Sequence, residues 1–123
     1  MANKNKILIV DYEVDILALL EARLVSVGYE VLKSDNGIDA IDIAREKNPD
    51  LIILDILLPH MDGTTVSQIL KEDEDTKNIP IIFLTALQDK EAEKSDHKIG
   101  KNIIFAKPFD SKELLAAIKK QIG

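Results

Sequence analysis

Five short apolar runs recur along the chain, and that alternation constrains the fold more than any other feature. They are Lys6–Val10, Tyr29–Lys33, Leu51–Leu54, Ile81–Leu84 and Ile103–Ala106. Between and after them, apolar residues return at helical spacing: Val14, Leu17, Ala18, Leu20, Leu24 and Val25; then Ile38, Ala40, Ile41 and Ala44; then Val66, Ile69 and Leu70; finally Leu114, Leu115, Ile118 and Ile122. Asp89–Ile99 reads as a polar helix. The break signals fall between these elements. Gly28 stands where a helix ends, Asn36-Gly37 and Asn48-Pro49 mark turns, Pro59 and Gly63 mark a loop, and Asp110-Ser111-Lys112-Glu113 resembles a capping box. Leu51–Leu54 carries no polar residue, as a strand covered on both faces should not. Strand and helix alternating five times call for an α/β protein, a parallel sheet with helices on both faces and right-handed crossovers.

A length of 123 residues suits one domain, read here as 1–123, with no linker or low-complexity segment. There is no cysteine, which removes disulfides, thiolate metal sites and cysteine nucleophiles together. No apolar run approaches the roughly 18–20 residues of a membrane span. The N-terminal residues do not resemble a secretory signal, so a cytoplasmic location with no membrane insertion is expected. A net charge of -6 and an aromatic content of only 4% argue against direct nucleic-acid binding, which needs basic surfaces and stacking platforms.

In an open parallel sheet, ligands bind beyond the carboxyl ends of the strands. The residues closing the strands here are Asp11-Tyr12-Glu13, Asp55, Thr85-Ala86 and Lys107-Pro108. Singly each has a bland reading: a strand-end Asp is more often a cap or loop former, and a lone Lys more often solvated. Together they place two carboxylates, a hydroxyl and an ammonium at one edge. Facing carboxylates suit a hard divalent cation such as Mg²⁺. A carboxylate can also be a nucleophile that forms an aspartyl phosphate. Lys supplies a point charge for phosphoryl oxygens, and Thr can hydrogen-bond one of them. The set fits phosphoryl transfer onto Asp55.

Five ordered segments now carry a family likeness: Ile7-Leu8-Ile9-Val10-Asp11, Asp50-Leu51-Ile52-Ile53-Leu54-Asp55, Pro59-His60-Met61-Asp62-Gly63, Ile82-Phe83-Leu84-Thr85-Ala86 and Lys107-Pro108-Phe109-Asp110. Together they resemble the receiver domain of bacterial two-component response regulators, from about Lys6 to the C-terminus. The resemblance implies a doubly wound, flavodoxin-like sheet of five parallel strands in order 2-1-3-4-5 with five helices. It implies a phosphoacceptor rather than an enzyme. Asp55 would take a phosphoryl group from a sensor histidine kinase or phosphotransfer protein, Thr85 would bond that group, and Lys107 would pair with Asp55 or the phosphate. It further implies a cis bond before Pro108, and Mg²⁺ held by Asp11, Asp55 and the backbone carbonyl of Leu57. Ala86 matches the small residue that leaves room at the site.

Three positions depart from the family pattern. Tyr12 stands where the family has a second acidic residue, its usual direct Mg²⁺ ligand; a phenol is neutral near pH 7 and a poor substitute. Weakened Mg²⁺ affinity is expected, with Glu13 able to reach in if its loop shifts. Ile104 stands where the family has an aromatic switch residue, and its neighbour Phe105 faces the other side of the strand. That leaves a quieter switch by rotation of Ile104. Leu57 and Leu87, each two residues beyond a site residue, offer a water no hydrogen bond, so a phosphoryl group on Asp55 should hydrolyse slowly.

In receivers the fourth helix, fifth strand and fifth helix form the output surface. Here the polar segment Asp89–Ile99 reads both as a solvated face and as a helix able to repack. His60 and His97 lack metal-ligand spacing and are ordinary polar residues. A single receiver domain without an output domain is expected. The chain is then a single-domain regulator acting on a downstream protein, or a receiver excised from a longer one. The serious rival is a degenerate receiver that binds partners without being phosphorylated. A haloacid-dehalogenase-like phosphatase needs Asp-x-Asp, which Asp55-Ile56-Leu57 lacks. A flavodoxin-like cofactor module needs a phosphate loop where Asp11-Tyr12-Glu13 would repel phosphate.

Overall fold

A computed structural model describes residues 4–86, 98–99 and 102–123. The strands are β1 (Lys6–Val10), β2 (Glu30–Ser34), β3 (Leu51–Asp55), β4 (Ile81–Thr85), β5 (Lys98–Ile99) and β6 (Asn102–Ala106). The helices among the described residues are α1 (Val14–Ser26), α2 (Gly37–Lys47), α3 (Gly63–Glu72) and α4 (Ser111–Ile122). The sheet order is β2-β1-β3-β4-β6-β5. Its five parallel strands, β1 to β4 and β6, follow the expected order 2-1-3-4-5.

Two details differ from the sequence expectation. Lys98 and Ile99, expected at the end of a helix, form β5, antiparallel to β6. A connection of two residues can only return a chain antiparallel. The rest of that expected helix, 89–97, lies outside the described residues. Tyr29, expected in β2, closes α1 instead: Gly28, at φ 99°, donates its N–H to the Val25 carbonyl (3.0 Å), and Tyr29 donates to Leu24 (3.1 Å). This pair of bonds satisfies the last carbonyls of α1 and needs the left-handed conformation that glycine adopts freely.

Side chains along each strand alternate between two cores. Leu8 and Val10 pack with Ala40, Ala44, Val66 and Leu70 on the α2–α3 face, while Ile7 and Ile9 pack with Leu17, Leu20, Leu24, Leu114 and Ile118 on the α1–α4 face. β3 and β4 are buried throughout, being central and covered on both sides. The stripe of α1 is narrower than its apolar residues suggest. Leu17, Leu20 and Leu24 are buried, but Val14 and Val25 are exposed. Ile38 of α2 is likewise exposed. Asn36 caps α2, Asp62 caps α3 and Asp110 caps α4, each accepting backbone N–H bonds from the first turn.

Candidate functional site

The parallel strands deliver their C-terminal residues to one edge. Asp11 follows β1, Asp55 ends β3, Thr85 ends β4 and Lys107 follows β6. Backbone bonds fix these positions: Asp11 N–H to the Ser34 carbonyl (3.1 Å), Ile56 N–H to Leu84 (2.8 Å) and Lys107 N–H to Thr85 (2.7 Å). Asp11, Asp55 and Thr85 are buried. The Lys107–Pro108 bond is cis.

Lys107 joins the carboxylates. Its Nζ lies 2.7 Å from Asp11 Oδ2, 3.0 Å from Glu13 Oε1 and 3.3 Å from Asp55 Oδ2. Asp55 Oδ1 accepts the Leu57 N–H at 3.1 Å, and Asp11 Oδ1 accepts the Glu13 N–H at 2.8 Å. The two aspartates thus each use one oxygen to hold their own loop and turn the other toward the ammonium.

Burial and the nearby Asp11 charge push the Asp55 carboxyl up to about 6, against the lowering influence of Lys107 and the Leu57 N–H. Burial opposes the Lys107 ammonium. The Asp11 and Glu13 carboxylates, with Asp55, outweigh it and hold the lysine above its ordinary value.

The departures from the family pattern can be placed individually. The Tyr12 side chain is 62% exposed, turned to solvent. The Glu13 carboxylate contacts the Lys107 ammonium at 3.0 Å. Ile104 is buried in the α2–α3 core with Leu54 and Phe83, and Phe105 packs against the opposite core, as strand alternation requires. Leu57 is 48% exposed. Leu87 and His97 lie outside the described residues. His60 adopts a left-handed backbone conformation, φ 68°, in the loop after β3.

One residue was legible only as a loop marker. Gly63 opens α3 directly against the end of β3, donating its N–H to the Ile56 carbonyl at 2.8 Å. A Cβ there would press into the Asp55 carbonyl oxygen and the Ile56 Cα.

Among the described residues no three acidic or histidine side chains stand ready-made around a metal ion. The donors nonetheless suit a hard cation. Asp11 Oδ2 is buried and has no hydrogen-bond partner among the described residues. The Lys107 ammonium lies 2.7 Å from it and pairs with its charge. Mg²⁺ commonly takes one or two carboxylates and completes its shell with water, which Asp11 and Asp55 satisfy.

A family model described as the response regulator receiver domain matches residues 7–119. The chain is 42% identical over 117 residues to "Probable transcriptional regulator ycf27" of Cyanophora paradoxa, covering 95% of this chain and 48% of that protein. It spans about half the length of such curated relatives. It is 33% identical to the polar-differentiation response regulator DivK of Brucella anthropi, covering 98% of this chain and 97% of that one. Among solved structures, the receiver domain of the sensor histidine kinase PA1611 from Pseudomonas aeruginosa matches with a TM-score of 0.86 and 31% identity, over 98% of this chain and 99% of that one. That structure has a magnesium ion coordinated in its active-site cleft. Chemotaxis response regulator CheY4 of Vibrio cholerae matches with a TM-score of 0.85 and 27% identity, over 98% of this chain and all of that one (100%).

Proposed function

This chain belongs to the response regulator receiver family, a family of phosphoacceptors in two-component signalling, and on that premise we propose that Asp55 is its acceptor. One observation carries the assignment: carboxylates from the ends of β1 and β3 meet the Lys107 ammonium, from the end of β6, within 3.3 Å. The donor is a phosphohistidine on a sensor kinase or phosphotransfer protein, and a cytoplasmic location goes with such a partner. An Asp55 oxygen forms the new O–P bond as the P–N bond to histidine breaks, and the imidazole keeps the electron pair.

The chain's own groups have distinct tasks. The Leu57 N–H fixes one Asp55 oxygen, and the other, which faces Lys107, is the one placed to attack. Lys107 moves its charge onto the transferred group, and Thr85 hydrogen-bonds a phosphoryl oxygen. Asp11, Asp55 and the Leu57 carbonyl would hold Mg²⁺, which when bound draws charge from the phosphoryl oxygens. Leu57 and Leu87 slow the return attack by water. The phosphorylated surface then changes its contacts with a downstream protein. The rival reading, a receiver that works unphosphorylated, would leave Lys107 and two buried carboxylates without a task.

The test is intact-protein mass after incubation with a small phosphodonor, with and without Mg²⁺. A single phosphate adduct that requires Mg²⁺ and disappears in Asp55→Asn is expected. No adduct from either a phosphodonor or a phosphorylated histidine protein would overturn the assignment.

A further inference from the structure

We infer that Glu13 supplies the second acidic ligand of the cation site, the role that Tyr12 cannot fill. The inference rests on the reading of Asp11 and Asp55 as a cation site, and extends it to a residue that the family pattern does not place there.

The first ground is where the two side chains go. Tyr12 is turned to solvent, whereas Glu13, one position later and also exposed, reaches the Lys107 ammonium with one carboxylate oxygen at 3.0 Å. Glu13 is the N-cap residue of α1, yet its side chain makes no capping bond. Its carboxylate therefore has no competing task on its own helix.

The second ground is convergence. Oxygens of Asp11, Glu13 and Asp55 lie 2.7, 3.0 and 3.3 Å from a single point, the Lys107 Nζ. Oxygens around Mg²⁺ stand at about 2.0–2.1 Å. An ion near that point would need the oxygens to close in by about 0.6 Å for Asp11 to about 1.3 Å for Asp55, once Lys107 withdraws. Glu13, with its side chain 57% exposed, can make that adjustment without disturbing the core.

The third ground is charge. Three carboxylates facing one ammonium carry a formal charge of 1 − 3 = −2. A divalent cation balances that charge when Lys107 turns to the phosphoryl group. The buried Asp11 Oδ2, without a hydrogen bond among the described residues, is the atom that gains most from it. In this account Lys107 holds the three carboxylates together until the ion arrives, and Glu13 belongs to both arrangements.

Mn²⁺ in place of Mg²⁺ gives a direct reading, since the electron spin resonance of the free ion reports how much is bound. The unphosphorylated full chain is titrated as wild type, Asp11→Asn, Glu13→Gln and the double variant Tyr12→Asp/Glu13→Gln. Glu13→Gln is expected to weaken binding at least ~10-fold, the least that losing even an outer partner of a metal site costs. Tyr12→Asp in the same background is expected to restore it. Restoration also shows that Glu13→Gln had not simply damaged the fold. Wild-type affinity in Glu13→Gln, with binding lost in Asp11→Asn, would overturn the role of Glu13 and leave the cation site standing. Binding to the wild type that survives Asp11→Asn, or no binding at all, would overturn both.

Discussion

Lys107 sits closer to Asp11 than to Asp55, 2.7 Å against 3.3 Å. The lysine is thus committed to a carboxylate other than the proposed acceptor, and Asp55 keeps most of the cost of its burial. Removing the ammonium should expose that cost. In Lys107→Met the stem volume is largely kept, but two buried carboxylates lose their counter-charge. We expect a loss of about 3 kcal/mol, the low end for breaking a buried pair, because Glu13 leaves one side open to solvent. Urea unfolding near neutral pH checks this. Millimolar Mg²⁺ should recover part of the loss in Lys107→Met while adding little to Asp11→Asn. An unchanged midpoint in Lys107→Met would contradict the geometry.

The raised Asp55 carboxyl fixes the sign of a pH dependence. Its folded value of about 6 lies above the ordinary 3.8, so the folded protein holds this proton more tightly than the unfolded chain. The Asp55 contribution is therefore most favourable below about 3.8, declines as pH rises through the window to about 6, and is fully unfavourable at pH 7. Asp55→Asn should stabilise the metal-free protein at pH 7 by on the order of 1–3 kcal/mol. The gain should shrink toward pH 4. Asp62 and Asp73, held below the usual range chiefly by a hydrogen bond from the Thr64 hydroxyl and by the Asp75 N–H respectively, act in the opposite sense and only in acid. Denaturant melts of both proteins in chelator at several pH values provide the comparison. A stability gain that is independent of pH would count against burial of the Asp55 charge.

Gly63 makes a separate prediction because its neighbour is backbone. Alanine favours a helix over glycine by roughly 0.5–1 kcal/mol, so Gly63→Ala would be stabilising on propensity alone. Here the added Cβ meets the Asp55 carbonyl and the Ile56 Cα, neither of which can turn aside. The expected net result is a destabilisation of about 1–3 kcal/mol, the usual cost of overpacking, together with slower phosphorylation as the acceptor strand shifts. Gly37→Ala is the control. Its Cβ would meet the side chains of Val66 and Met61 rather than backbone; the buried, branched Val66 must still shift, so Gly37→Ala should also cost stability, but less than Gly63→Ala. Equal unfolding midpoints for the two variants would refute the distinction.

The same contrast explains what was readable in the sequence. β3 and β4 were legible because strands buried on both faces become unbroken apolar runs. Asp11, Asp55, Thr85 and Lys107 were legible as a set because parallel strands bring their ends to one edge. Val14 and Val25 misled because helical spacing marks a face without saying how wide the buried part is. Tyr29 misled because a β-branched neighbourhood outweighed the capping role that Gly28 imposes on it. β5 has two residues, too few for any period to show. The Glu13–Lys107 contact joins residues 94 apart through side-chain directions that no local pattern encodes.

The last prediction concerns how long a phosphoryl group stays on Asp55. Leu57 follows the acceptor by two residues, and its N–H already fixes the turn, so its side chain is free of any role in holding the loop. That side chain is half exposed at the rim, where an attacking water would approach. An apolar group there gives the water no hydrogen bond and excludes it from part of the approach. Leu57→Asn offers an amide that can orient a water without disturbing the core. Hydrolysis should quicken on the order of tenfold, short of the 10²–10⁴ that a true general base contributes, because Asn positions the water but takes no proton. Adding Leu87→Asn should quicken it further. Loss of the phosphate adduct with time, followed by intact mass after removal of the phosphodonor, measures each lifetime. A longer lifetime in either variant would show that the leucines do not shield the acyl phosphate.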